Sequence, residues 1–140
     1  MTVGYQDRTL DDLINVLAAA NVGVLVDVRL TPLSRKPGMS KRRLAARLRD
    51  EGIHYLHLPQ LGNPRDNRDA FRRNDAHARG RYSGVLQSAP GRDALQQLAD
   101  LVPAQRLALM CFERNASECH RSMAAEALAA MDRALEVRHL

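Results

Sequence analysis

Cys111, Glu113, Cys119, His120 and Arg121 fall within one short stretch of the chain, and its two cysteines are both there. These residue types can attack a substrate, move a proton or hold an anion. Cys119-His120-Arg121-Ser122 stands at the head of an Ala/Leu/Met-rich helical pattern. A helix N-terminus lowers a thiol pKa, so Cys119 is the expected reactive cysteine. Arg121 sits in the first helical turn, where a cation is poorly matched to the helix dipole. That mismatch implies that Arg121 faces an anion. Cys111 closes the apolar run Leu107–Cys111 and reads as inert core. An apolar strand, a loop and a helix N-terminus form the usual anion cradle of an α/β protein.

Several familiar sites are excluded. No Gly-x-Gly-x-x-Gly follows the first strand, and no P-loop is present. Arg121 comes too soon after Cys119 for a Cys-x5-Arg phosphatase loop. Cys111, Glu113, Cys119 and His120 are metal-ligating types, but their spacing matches no common zinc pattern. No metal ligand set is therefore assigned, and the sequence names no cofactor.

The elements that must position these residues alternate. TVGY at Thr2–Tyr5 reads as a strand, and Thr9 with Asp12 reads as a near-capping box opening a helix over Leu10–Ala20. VLVDV at Val24–Val28 is a continuous apolar run broken only by Asp27, the mark of a strand buried on both faces. Ser40 is the expected cap of a helix over Lys41–Glu51. IHYLHL at Ile53–Leu58 alternates as a strand does, and Leu61-Gly62-Asn63-Pro64 is turn chemistry. Arg65–Gly80 is polar with little periodicity and reads as a mobile lid or a weak helix. Tyr82–Leu86 reads as helical, and Ser88-x-Pro90 marks a further helix start. Leu107–Cys111 is the fourth strand, and Glu136–Leu140 is expected to be a last one. The pattern predicts one α/β domain over residues 1–140, a three-layer sandwich around a mainly parallel sheet of about five strands.

In such a sheet ligands bind beyond the carboxyl ends of the strands. Tyr5, Asp27, Arg29, Ser34, Arg35, Tyr55 and His57 are expected on that rim with the Cys111–Arg121 stretch. Asp27, His57, Glu113, Cys119 and His120 are the candidate catalytic groups. Tyr5, Arg29, Ser34, Arg35, Tyr55 and Arg121 are the candidate ligand-binding ones. Asp27 could equally pair with Arg29 or cap a loop, and His57 could equally be a packing histidine.

The 140 residues carry a net charge of +5 with a mostly arginine excess, which favours phosphate or carboxylate partners and permits nucleic acid. Two cysteines do not make a disulfide scaffold. No apolar run approaches a membrane span, and the first residues lack the order of a signal peptide, so a cytoplasmic protein is expected.

The motifs Gly4-Tyr5, Asp27-Val28-Arg29, Pro32-x-Ser34-Arg35-x-Pro37-Gly38, Tyr55-x-His57-x-Pro59-x-Leu61-Gly62-Asn63-Pro64 and Cys111-x-Glu113-x5-Cys119-His120-Arg121 follow one another along essentially the whole chain. In this order they resemble the domain-of-unknown-function family 488 (DUF488). The resemblance implies a single cytoplasmic α/β domain whose motif residues are what the family keeps, and no settled reaction. Phe112, and Asn63-Pro64 after Gly62, read as variants within it.

Three functions fit these residues. The first is an enzyme or binder, hydrolase-like, for a phosphorylated or nucleotide-like ligand held by Arg29, Arg35 and Arg121. The second is a nucleic-acid-binding module using the basic Arg65–Arg81 segment. The third is a thiol redox protein using Cys111 and Cys119. The oligomeric state is left open.

Overall fold

The computed structural model describes residues 1–132 and 134–140. Among the described residues the sheet has four parallel strands: β1 (Thr2–Gly4), β2 (Val24–Asp27), β3 (His54–His57) and β4 (Leu107–Cys111). Their order is β1-β4-β2-β3, so the last strand is inserted between the first two. The register pairs Gly4 with Cys111 and Asp27 with both Met110 and His57. The carboxyl ends of all four strands therefore share one rim.

The apolar runs are continuous because both faces of the sheet are covered. On one face Val24, Val26, Leu107, Leu109 and Cys111 pack with residues of α4 (Ala76–Gln87), α5 (Ala89–Leu101) and α6 (His120–Ala129). On the other, Val3, Leu25, Ala108 and Met110 pack with residues of α1 (Leu10–Ala19) and α2 (Lys41–Asp50). Period-two alternation sends neighbours along each strand into opposite cores. This is the expected three-layer α/β sandwich.

Local signals explain the helix starts. Thr9 and Asp12 form a complete capping box on α1. Ser88 caps α5, with its hydroxyl accepting from the Gly91 amide. Ser40 stands at the N-cap of α2 without capping it. Its hydroxyl instead accepts from the Ser34 amide at 3.1 Å and donates to the Ser34 carbonyl at 3.2 Å, closing the loop after β2.

One expectation needs correction and two are refined. The sheet has four strands, and the expected strand over Glu136–Leu140 shrinks to one parallel bridge between His139 and Thr2. Most of that segment stays exposed or half-exposed, so little apolar burial supports a longer pairing. Arg65–Gly80 is ordered as a 3-10 turn, then α3 (Arg68–Arg72), then the start of α4. Tyr82–Leu86 is helical as expected and lies in the C-terminal half of that longer helix. No helix among the described residues is long and apolar enough to cross a membrane.

Two glycines mark close approaches on the rim. A Cβ on Gly4 would lie 1.9 Å from the Glu113 carbonyl oxygen, and one on Gly62 would lie 2.7 Å from the Leu30 backbone. Both neighbours are main chain and cannot rotate away. Gly4→Ala is expected to destabilise the fold by about 2 kcal/mol through overpacking, read as a lower urea midpoint. An unchanged midpoint would show that the loop after β4 gives way freely.

Candidate functional site

The loop from Cys111 to Cys119 is fixed from below. Arg121, 1% exposed, is the largest fully buried side chain. Its Nε donates to Thr2 Oγ1 at 3.3 Å, and its two terminal nitrogens donate to the carbonyls of Glu113 and Arg114. Among the described residues no carboxylate pairs with it. The cation is held by backbone dipoles, and in return it holds the loop against β1. Asn115 caps the short turn Ala116–Glu118, which leads into Cys119 as the N-cap of α6.

Above this loop lies a cavity of about 650 Å³. Cys111, Glu113 and His120 form its floor. Leu33, Ser34, Arg35 and Lys36 from the loop after β2 form one wall, and Arg68, Phe71 and Arg72 of α3 contribute to the other. Tyr5 and Arg29 close it on the sheet side. Three of the chain's exposed large apolar side chains, Leu30, Leu33 and Phe112, stand at this cavity. Five cationic side chains line it against two carboxylates.

The floor is hydrogen-bonded throughout. His120 Nε2 lies 3.1 Å from the Val28 carbonyl, which only a donor can satisfy. The Nδ1 lone pair then faces Cys111 Sγ at 3.9 Å. Tyr82 packs edge-on against the imidazole at 5.2 Å and donates to the Leu61 carbonyl, fixing the ring from beneath. Glu113 Oε2 accepts from the Cys111 thiol at 3.5 Å, and its Oε1 accepts from Arg72 Nε at 3.3 Å. Burial pushes the Glu113 carboxyl up. Its own backbone amide, the Cys119 thiol, His120 and Arg72 pull it down further, so the net shift is downward. Glu113 is accordingly ionised at neutral pH.

A second network occupies the other half of the rim. Asp27 is fully buried. Its Oδ1 accepts from the Arg29 amide and from Nε at 2.8 Å, and its Oδ2 accepts from Arg29 at 2.5 Å and from the Tyr55 hydroxyl at 2.5 Å. Arg29 donates further to Tyr5 Oη and the Met39 carbonyl. Burial opposes the Arg29 charge, but Asp27 outweighs it and raises the pKa. Burial and then Asp27 push the Tyr55 phenol up. All four acceptor positions of Asp27 are taken, so the network is a brace.

Of the residues expected from sequence, Tyr5, Arg29, Ser34, Arg35, Glu113 and His120 line the cavity. Asp27, Tyr55, His57, Cys119 and Arg121 do not. His57 bonds the Arg29 carbonyl through Nε2 and Lys41 through Nδ1. Arg121 is turned into the protein and meets carbonyls where an anion was expected. Cys119 is 1% exposed. Burial, with help from Cys111, pushes its thiol well above the ordinary range against the opposing effect of His120, reversing the expected activation.

Cys111, read from sequence as core, packs in the core and also lines the cavity. Its position as the last residue of a strand in a parallel sheet was the available signal. Arg68, Phe71 and Arg72 were hidden in a segment with no clear period. Two other arginines of that segment are engaged: Arg79 bonds the Ser117 carbonyl and stacks on Phe71, and Arg81 pairs with Asp66. They staple α3 and α4 to their surroundings.

Residues 9–128 match the family model described as "Domain of unknown function DUF488", and the chain belongs to that family. No curated protein and no solved structure matches the chain significantly.

The Glu113 shift sets a pH dependence. A carboxyl lowered on folding adds stability above its ordinary value of 4.5 and loses it as pH falls through the folded value. The difference in denaturant midpoint between wild type and Glu113→Gln is expected to narrow from about pH 5 to about pH 3. A gap that stays constant would place Glu113 outside the charged network.

Proposed function

We propose that this DUF488 protein is an enzyme that binds a phosphorylated, nucleotide-like small molecule in the rim cavity and acts on it hydrolytically at the floor. The observation that carries this reading is the combination of walls and floor. Basic side chains from the loop after β2 and from α3 line one space of ligand size, together with ionisable groups of the β4 end and apolar side chains.

Arg35 is the best-placed anion donor. It is exposed at the cavity and makes no ion pair among the described residues. Arg68 and Arg72 approach from α3, and guanidinium groups suit the paired oxygens of a phosphate. Arg29 contributes less, because Asp27 already balances its charge. Phe112, with its edge packed by Tyr5 at 5.4 Å, offers an apolar ring to the non-phosphate part of the ligand.

Glu113 serves as the general base. It is ionised, it faces the cavity, and Arg72 and Cys111 orient its two oxygens. A water between Glu113 and the ligand would give up a proton to the carboxylate as its oxygen bonds to phosphorus, and the ester P–O bond would break with the leaving oxygen taking its proton from solvent. His120 has its Nε2 proton committed to Val28, so only Nδ1 can take part in proton transfer.

Calorimetry of the full chain with adenosine 5′-monophosphate, inorganic phosphate and adenosine tests the reading. The nucleotide is expected to bind more tightly than either fragment. Arg35→Ala is expected to weaken it about tenfold or more, the loss of one charge-assisted contact. Absence of binding by the wild type for all three, or an unchanged affinity in Arg35→Ala, would overturn it.

A further inference from the structure

We infer that Cys111 Sγ, Cys119 Sγ and His120 Nδ1 form a site for a zinc-type divalent ion directly beneath the cavity. The inference rests on reading that cavity as the functional site, and it adds the cofactor class that the sequence left unnamed.

Geometry is the first support. The three donor atoms all lie within 4.8 Å of one another, and all three residues are buried. Tetrahedral zinc, with bonds of about 2.3 Å to sulfur and about 2.05 Å to nitrogen, needs sulfur–sulfur edges of about 3.8 Å and sulfur–nitrogen edges of about 3.6 Å. The edge from Cys111 Sγ to His120 Nδ1 is 3.9 Å. Closing the triangle on an ion takes movements of about 1 Å or less by that comparison.

Orientation is the second support, and it does not depend on the cysteines. Metal-binding histidines commonly donate their other ring N–H to a carbonyl or carboxylate, which fixes the tautomer. The Val28 carbonyl does this for His120 Nε2, leaving the Nδ1 lone pair directed at the sulfurs. Tyr82 holds the ring in that plane.

Charge is the third. Two thiolates and a neutral imidazole cancel a divalent ion, so the loaded cluster can be buried without net charge. Sulfur donors favour zinc over magnesium or calcium. On loading, Cys111 and Cys119 each lose one proton to solvent, two per ion.

The site is incomplete in a useful direction. Cys111 and His120 line the cavity and Cys119 lies behind them, so the remaining coordination position faces the ligand space. Three protein ligands with an open fourth position is the catalytic type of zinc site. Bound there, the ion would supply Lewis acidity and a more acidic water. Loading would remove the thiol proton that Cys111 donates to Glu113, leaving Arg72 as the donor that holds this carboxylate on the cavity floor. The motif was invisible in sequence because Cys111 comes from β4, whereas Cys119 and His120 are the N-cap and first residue of α6.

The test uses the reduced full chain, stripped with a chelator and titrated with cobalt(II) and then zinc(II), with no anionic ligand present. One ion per chain is expected, with thiolate-to-cobalt charge-transfer absorption and the strong visible bands of four-coordinate cobalt, bleached by zinc. Cys111→Ser and His120→Asn are each expected to lower affinity at least tenfold, with folding checked by circular dichroism. If either variant fails to fold, alkylation of the wild type followed by mass spectrometry decides: zinc must protect both thiols together. A reduced wild-type chain without the charge-transfer band, a cobalt affinity unchanged in Cys111→Ser, or thiols that zinc leaves unprotected would overturn the inference. Nucleotide binding by the metal-free chain is read separately, so failure here leaves the anion site standing.

Discussion

A guanidinium buried without a carboxylate partner among the described residues governs this structure. Arg121 reaches from α6 under the loop that follows β4 and binds the carbonyls of Glu113 and Arg114, with Thr2 of β1 as its third contact. Removing such a group from water is costly unless several good acceptors replace the solvent. The loop must therefore keep its carbonyls turned inward, which turns the Glu113 side chain outward to the cavity. Gly4 makes the same demand from the opposite side, because only a residue without Cβ lets the Glu113 carbonyl approach β1 so closely. Two constraints on one peptide thus set where the floor of the cavity stands.

The neighbouring half of the rim is built to resist change. Asp27 is the last residue of a buried strand, where a lone carboxylate would not be tolerated. It is tolerated because Arg29 and Tyr55 satisfy all of its lone pairs, and Arg29 in turn ties in Tyr5 and the Met39 carbonyl. The strand ends divide accordingly. Those of β2 and β3 hold the loops in place, while those of β1 and β4 leave room for a ligand. Basic side chains are then brought to that room by the loop after β2 and by α3.

Much of the architecture was legible in the sequence. Thr9 with Asp12, the unbroken VLVDV run and the LALMC strand each carry a local physical signal that the fold obeys. The segment around Arg68–Arg72 was not legible, because its helices are short and anchored by pairs such as Asn67 with Asn63 and with the Ala78 carbonyl. Those contacts have no period in sequence. The site residues were half legible for a related reason. Spacing placed Glu113, His120 and Arg35 on the correct rim, but residue type alone does not reveal which way a side chain turns. Arg121 and Cys119 turn inward, and Cys111, judged to be core, borders the cavity. The dipole arguments for Cys119 and Arg121 were sound locally and were overridden by burial and by nearby carbonyls.

The most direct measurement is a crystal structure of Arg121→Met, a substitution that keeps bulk and removes the donors. The account predicts that the Cys111–Arg114 loop leaves β1, that Glu113 parts from Cys111, and that the cavity floor is lost while the Asp27–Arg29–Tyr55 brace stays intact. A structure in which Glu113 and Cys111 keep their positions would contradict it and would show that the loop holds itself without the buried cation.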